Sequence, residues 1–279
     1  MKKIKEKIYL LPGLMTDERL WQRLKPFLED EYELIHISLP LTEDFQKASQ
    51  ELEKTIKDEK INLLGFSLGA YLASYFTIKN PQRVNRLFLV AGTPAKMNEN
   101  EIIRRTQTLT QMNNLGFKGL SKKKIVSLLE ESNKNDEKLI DIVEKMFWDL
   151  GLETYNIQMK STVNRGELDK EWNSLSRPSK IVYSTEDRLF THSALESFKD
   201  NNKYIAYYGG WTRCESIPFT VAIGMATSID NGITFKKAGL GPNQTCHEVA
   251  DHQDFGPKAS GGRPAGRTWR AIGRPAGLH

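Results

Sequence analysis

The sequence predicts an α/β fold built on a mostly parallel, doubly wound sheet of about six strands, carrying an inserted helical cap and a C-terminal appendage of β-hairpin and disordered chain. Three observations predict it. Between residues 7 and 95, short apolar runs alternate with amphipathic stretches, the pattern of successive βαβ units. The pentapeptide Gly65-Phe66-Ser67-Leu68-Gly69 lies where one such run passes into a helix-like stretch. The alternation resumes at residues 180–208, after a charged segment of helical pattern.

In chain order, strands are expected over residues 7–11, 34–38, 61–64 and 84–91. Between them the apolar spacing predicts helices over 17–28, with Leu20, Trp21, Leu24 and Leu28 on one face, and over 44–58 and 70–79. Residues 96–172 form the expected cap, whose clearest apolar face is Leu139, Ile142, Val143, Met146, Phe147 and Leu150. A strand over 180–184, a helix over 193–200 and a strand over 204–208 then complete the core. Beyond Tyr208, two extended runs, 219–227 and 233–237, meet through Asp230-Asn231-Gly232, a strong hairpin signal. Residues 257–279 are rich in Gly, Pro, Ala and Arg and hold no acidic residue, so disorder is expected there. The organisation expected is core over 1–95 and 173–210, cap over 96–172, hairpin over 211–242 and tail over 243–279.

The chain of 279 residues is long enough to bury a substantial core. No apolar run approaches the length of a membrane span, and the apolar run after the basic residues 1–7 ends at Pro12, too soon for a signal-peptide core. A cytoplasmic location is expected. Cys214 and Cys246 lack metal-binding spacing and are expected as free thiols. The net charge of +5 comes from lysines scattered among nearly as many acids, which argues against a nucleic-acid surface.

The pentapeptide carries the chemistry. A serine on a sharp strand-to-helix turn needs small neighbours, because side chains at the flanking positions would collide, and Gly65 and Gly69 supply them. Such a turn exposes the Ser67 hydroxyl, and the following helix N-terminus brings a backbone N–H and partial positive charge towards a developing oxyanion. This is the spacing of a nucleophile elbow.

On these motifs and their order, residues 7–208 resemble the α/β-hydrolase superfamily, in particular small bacterial esterase-like members with a helical cap. The resemblance implies that Leu11-Pro12-Gly13-Leu14, after the first strand, supplies one oxyanion-hole N–H from Leu14, and that Leu68 supplies the second. It implies a triad acid just after strand 180–184, where Asp187 fits best and Glu186 stands in reserve. The histidine should follow Tyr207-Tyr208-Gly209-Gly210, but Trp211 stands there. Residues 207–242 instead resemble a fragment of a β-propeller glycoside-hydrolase family, which as one hairpin implies no glycosidase activity. Of five histidines, His36 is expected to be structural, His192 exposed and His279 part of the tail. His247 and His252 are the candidates for the base, with His247 preferred. The function implied is hydrolysis of a small-molecule carboxylic ester through an acyl-enzyme, with no metal or organic cofactor. A lactone or thioester substrate stays open, as does a catalytically impaired fold that binds without turnover, and the oligomeric state is not predicted.

Overall fold

The computed structural model describes residues 4–129, 131–183, 205–210, 222–227 and 236–237. Five strands, β1 (Glu6–Leu11), β2 (Tyr32–His36), β3 (Ile61–Phe66), β4 (Val84–Val90) and β5 (Ser179–Val182), form one parallel sheet in the order β2-β1-β3-β4-β5. Parallel neighbours need crossover connections, which the intervening helices provide. The crossovers β1→β2 and β2→β3 run in opposite directions across the sheet, and with the right-handed connection that such units almost always take this winds helices onto both faces. The buried central strands β1 and β3 read as apolar runs, as sheets covered on both faces require.

The expected helix over 17–28 is two pieces, a 3₁₀ turn at Glu18–Trp21 and a short α1 at Lys25–Leu28. Pro26 explains the break: it has no N–H to donate into a continuous helix and is tolerated in the first turn of a new one. The helix α2 (Phe45–Thr55) starts on an Asp44 cap, whose carboxylate accepts from Gln46 N at 2.7 Å and Lys47 N at 3.2 Å. Helix α3 (Leu68–Lys79) is buried on nearly every side, against β1, β3, β4, α2 and α7 (Asp169–Asn173). Its buried hydroxyls, Ser74 and Thr77, are satisfied by the carbonyls one turn back, at 2.8 and 2.7 Å. Around α3 the main core gathers Leu11, Leu52, Leu63, Phe76, Leu87 and Trp172.

The cap comprises α4 (Glu99–Leu115), α5 (Lys122–Leu128) and α6 (Glu137–Asn164), with α4 and α5 packed on α6. Gly151, at φ 73° and ψ 178°, breaks α6 into two segments. Of the apolar face expected there, Met146 and Phe147 are buried, and Ile140 is buried with them.

Among the described residues the parallel sheet has five strands, where about six are expected. The expected sixth is β6 (Ile205–Gly210), which pairs antiparallel with β7 (Ala222–Thr227), itself antiparallel to β8 (Lys236–Lys237). Antiparallel pairing with a neighbour close in sequence needs only a loop, whereas a place in the parallel sheet needs a crossover. The helix expected over 193–200, the Asp230-Asn231-Gly232 turn, both cysteines and the 257–279 tail lie outside the described residues.

Candidate active site

The strand order places two loops together. The chain leaves β1 towards β2 and then crosses back over it to β3, so the C-terminal ends of β1 and β3 flank the point where the winding reverses. In open α/β sheets that crevice is where ligands bind. The loop after β1 is Pro12-Gly13-Leu14-Met15, and β3 runs directly into Ser67.

Ser67 has φ 52° and ψ −111°, a conformation an L-residue adopts only under constraint. The constraint is visible. Ser67 N donates to Val90 O at 2.9 Å, tying the turn to the end of β4, and α3 starts at the next residue. Glycines surround the turn because nothing larger fits: a Cβ on Gly65 would lie 2.4 Å from Gly69 O, and one on Gly92 would lie 2.6 Å from Ser67 O. A Cβ on Gly13 would lie 3.2 Å from Ser67 Cβ, which sets the β1 loop directly against the serine. The Ser67 side chain does not cap α3, so the Leu68 N–H, in the unsatisfied first turn, keeps no partner within the helix.

The β1 loop is clamped from two sides. Thr16 Oγ1 accepts from Gly13 N at 2.8 Å and donates to Gly13 O at 3.0 Å. Met15, at φ 53°, donates its N–H to Gln158 Oε1 on α6 at 2.7 Å in a buried bond. Between these clamps the Leu14 N–H has no partner among the described residues. The Leu14 side chain packs against both the main core and a cap cluster of Met15, Phe147, Tyr155 and Met159. Phe147 in turn stacks on Phe117, with centroids 5.6 Å apart. The cap's apolar interior is thus continuous with the loop beside Ser67.

A buried basic group also stands near this junction. The Arg165 guanidinium lies 5.5 Å from the ring centroid of Tyr71, one helical turn beyond Ser67, and its buried Nε has no hydrogen-bond partner among the described residues. Burial, with Arg105 close by, pushes its pKa down to about 10.

The structure therefore brings Ser67, Leu14 and Leu68 to one place. Asp187, Glu186, His192, Trp211, His247, His252 and His279 lie outside the described residues. His36 is on the edge strand β2, where Nδ1 accepts from Trp21 Nε1 at 3.1 Å. Burial holds its pKa below the usual 6.5. A histidine that protonates less readily when folded stabilises the fold above its unfolded pKa and loses that contribution as pH falls through the folded value. Between about pH 7.5 and about pH 5 the parent's Tm should therefore fall more steeply than that of His36→Gln, which keeps an acceptor for the indole without titrating. Parallel Tm profiles in a pH series of thermal melts would remove this role for His36. Gln158 and Met15 had no local signal in the sequence, since they meet across 143 positions. Among the described residues no group of three His, Cys, Asp or Glu side chains could hold a metal, and no helix is long and apolar enough to cross a membrane.

The chain has the α/β-hydrolase fold. Residues 41–128, which include the Ser67 turn, match the family model for the alpha/beta hydrolase fold. Among curated proteins the chain is similar to the pimeloyl-[acyl-carrier protein] methyl ester esterases of Legionella pneumophila strains Corby and Lens, with 30% identity over 92 residues, or 31% of this chain. It spans only 38% of the length of those relatives. Among solved structures it resembles a thermophilic esterase from Thermogutta terrifontis, at TM-score 0.56 and 19% identity over 69% of this chain and 76% of the other. It also resembles the enol-lactonase of Burkholderia xenovorans LB400, at TM-score 0.58 and 14% identity over 70% of this chain and 78% of the other. At such identities these likenesses bear on the fold alone. The resemblance of residues 207–242 to a β-propeller glycoside hydrolase gains no support from these comparisons.

Proposed function

We propose that this chain is a serine hydrolase that cleaves a small or medium carboxylic ester through an acyl-enzyme, with Ser67 as the nucleophile. The observation that carries the reading is the strained Ser67 turn at the β1/β3 crevice, with the Leu14 and Leu68 N–H groups unclaimed among the described residues on either side of it. Ser67 Oγ attacks the ester carbonyl, its proton passes to a histidine, and the two N–H groups receive the oxyanion. Collapse of the tetrahedral intermediate expels the alcohol, which takes that proton. Water, deprotonated by the same histidine, then releases the acid and regenerates the serine. Asp187 orients the histidine, for which His247 is the first candidate and His252 the second. The chemistry calls for no metal or organic cofactor.

The comparisons support the substrate class. The curated relatives are methyl ester esterases, and cyclic esters stay within the same reading because their carbonyl is attacked in the same way. A thioester would react by the same steps. The apolar cluster joining Leu14 and Met15 to Phe147 and Tyr155 suits an acyl chain better than a polymer.

A second reading rests on Trp211, which stands where the resemblance places the histidine and cannot act as a base. On this reading the fold binds a small molecule without turnover. Single alanine substitutions at His247 and His252 separate the two. If one of them is the base, its loss should reduce hydrolysis of p-nitrophenyl butyrate by about 10⁴-fold or more while the other substitution is tolerated. Full activity in both variants would rule out both assignments.

A further inference from the structure

We infer that Gln158, on the cap helix α6, is a positioning residue that holds the loop after β1 so that the Leu14 N–H stays beside Ser67. The inference rests on the reading of Ser67 as nucleophile and of the Leu14 N–H as an oxyanion donor. It adds that this donor is set by the cap rather than by the sheet alone.

The geometry leads there in steps. Gln158 Oε1 accepts from Met15 N at 2.7 Å, and Gln158 is buried at 5% exposure. Because a backbone N–H can only donate, the accepting atom must be the amide oxygen, so the side-chain orientation is fixed by chemistry. Met15 needs such a partner. Its φ of 53° is a left-handed conformation in a residue that is not glycine, and such a conformation persists only where the surroundings over-determine it. Its side chain is seated among Phe147, Tyr155 and Met159, and its N–H is held by Gln158, so both of its anchors belong to α6. Leu14 lies between this anchored residue and Gly13, which Thr16 clamps at 2.8 Å. Released from Gln158, Met15 is free to relax towards negative φ and to carry Leu14 with it.

The break at Gly151 gives the arrangement a further consequence. Gln158 lies on the segment of α6 that follows the break, with Tyr155 and Met159. The segment before the break is joined to it through a glycine that has nothing within 4 Å of an added Cβ. Both segments meet the donor loop, the earlier through Phe147 and the later through Gln158, Tyr155 and Met159, but only the later carries the acceptor, so its undocking would misplace the loop.

The test uses the full chain with Gln158→Met, which keeps the side-chain length and apolar fit but removes the acceptor. Gln158→Glu keeps an acceptor at the same reach, and Gln158→Asn draws it back by one methylene. Loss of an oxyanion-hole donor costs about 10²- to 10³-fold in kcat, and a displaced donor costs less. Gln158→Met should lower kcat on p-nitrophenyl butyrate by about 10- to 100-fold with KM changed by less than about threefold. Amide hydrogen exchange over residues 12–16 should quicken while that of α3 and α4 stays as in the parent. Gln158→Glu should restore both readouts, and Gln158→Asn should fall between and serve alone if the methionine variant does not fold. Parent kcat in a variant lacking the acceptor, or unchanged exchange over 12–16, would overturn the inference. A parent without Ser67-dependent turnover marks failure of the hydrolase reading instead, and the exchange result then decides the positioning on its own.

Discussion

Ser67→Ala is expected to abolish hydrolysis of p-nitrophenyl butyrate, with a loss of about 10⁶-fold in kcat where a histidine base is in place. Losing the nucleophile of a serine triad costs about as much as losing every member, because the members act as a unit. The variant should fold as the parent does. Alanine at φ 52° bears the same strain as serine, and Ser67 supplies no cap to α3 whose loss would weaken the helix. Ser67→Gly supplies an independent check on the turn. A strained non-glycine backbone costs on the order of 1–3 kcal/mol, and glycine removes that cost while losing up to about 1 kcal/mol to greater freedom in the unfolded chain. The glycine variant should thus be as inactive as the alanine variant yet more stable by about 1 kcal/mol in thermal or denaturant unfolding. Equal activity in parent and Ser67→Ala, both above background, would remove Ser67 from the chemistry. Equal rates at background would favour the binding protein without a base.

Much of this was readable from the sequence because the signals are local. Strand β3 and helix α3 are both strongly apolar and meet at a Gly-x-Ser-x-Gly turn, so the order of elements and the place of Ser67 follow from neighbours a few residues apart. The strands of the parallel sheet fall within about two residues of the expected ones, for example Ile61–Phe66 against 61–64, while β7 and β8 each start three residues after the expected 219 and 233. The Leu14 position was inferred from resemblance, and the structure puts its loop against Ser67 through the close approach at Gly13. Local rules also explain where the reading erred. Periodicity joined residues 17–28 into one helix, but Pro26 outweighed the apolar spacing. Counting strands by apolar pattern placed residues 204–208 in the parallel sheet, although a pattern does not say which partner a strand takes.

The support of the site was not readable in the same way. The bond between Gln158 and Met15 joins residues 143 positions apart, and nothing near Gln158 sets it off from other polar residues on a helix. The positive φ of Met15 gave no signal either, since methionine is not a residue that usually marks a left-handed turn. Such features come from how the cap docks on the core, and docking depends on the shapes of two surfaces rather than on a short motif.

The sharpest structural test lies at Gly69, where helix propensity and packing predict opposite signs. In an exposed helix, exchanging glycine for alanine would stabilise by about 1 kcal/mol. Here a Cβ would lie 2.3 Å from Pro12 O and 2.4 Å from Leu11 O, far inside any real contact. Both atoms are backbone at the end of β1, so no side chain can swing aside, and the first turn of α3 must move away from the sheet. Forced overpacking of this kind costs about 3 kcal/mol or more, which exceeds the propensity gain and leaves a net loss of about 2 kcal/mol. For a folded region of this size that corresponds to a fall in Tm of about 4–8 °C. The same displacement would separate the Leu68 N–H from the Leu14 loop, so kcat should fall by about 10²-fold or more in the fraction that stays folded. A Gly69→Ala variant that melts at or above the parent temperature would mean that α3 does not press on the end of β1, and the proposed gathering of the Leu14 and Leu68 N–H groups at one site would have to be abandoned with it.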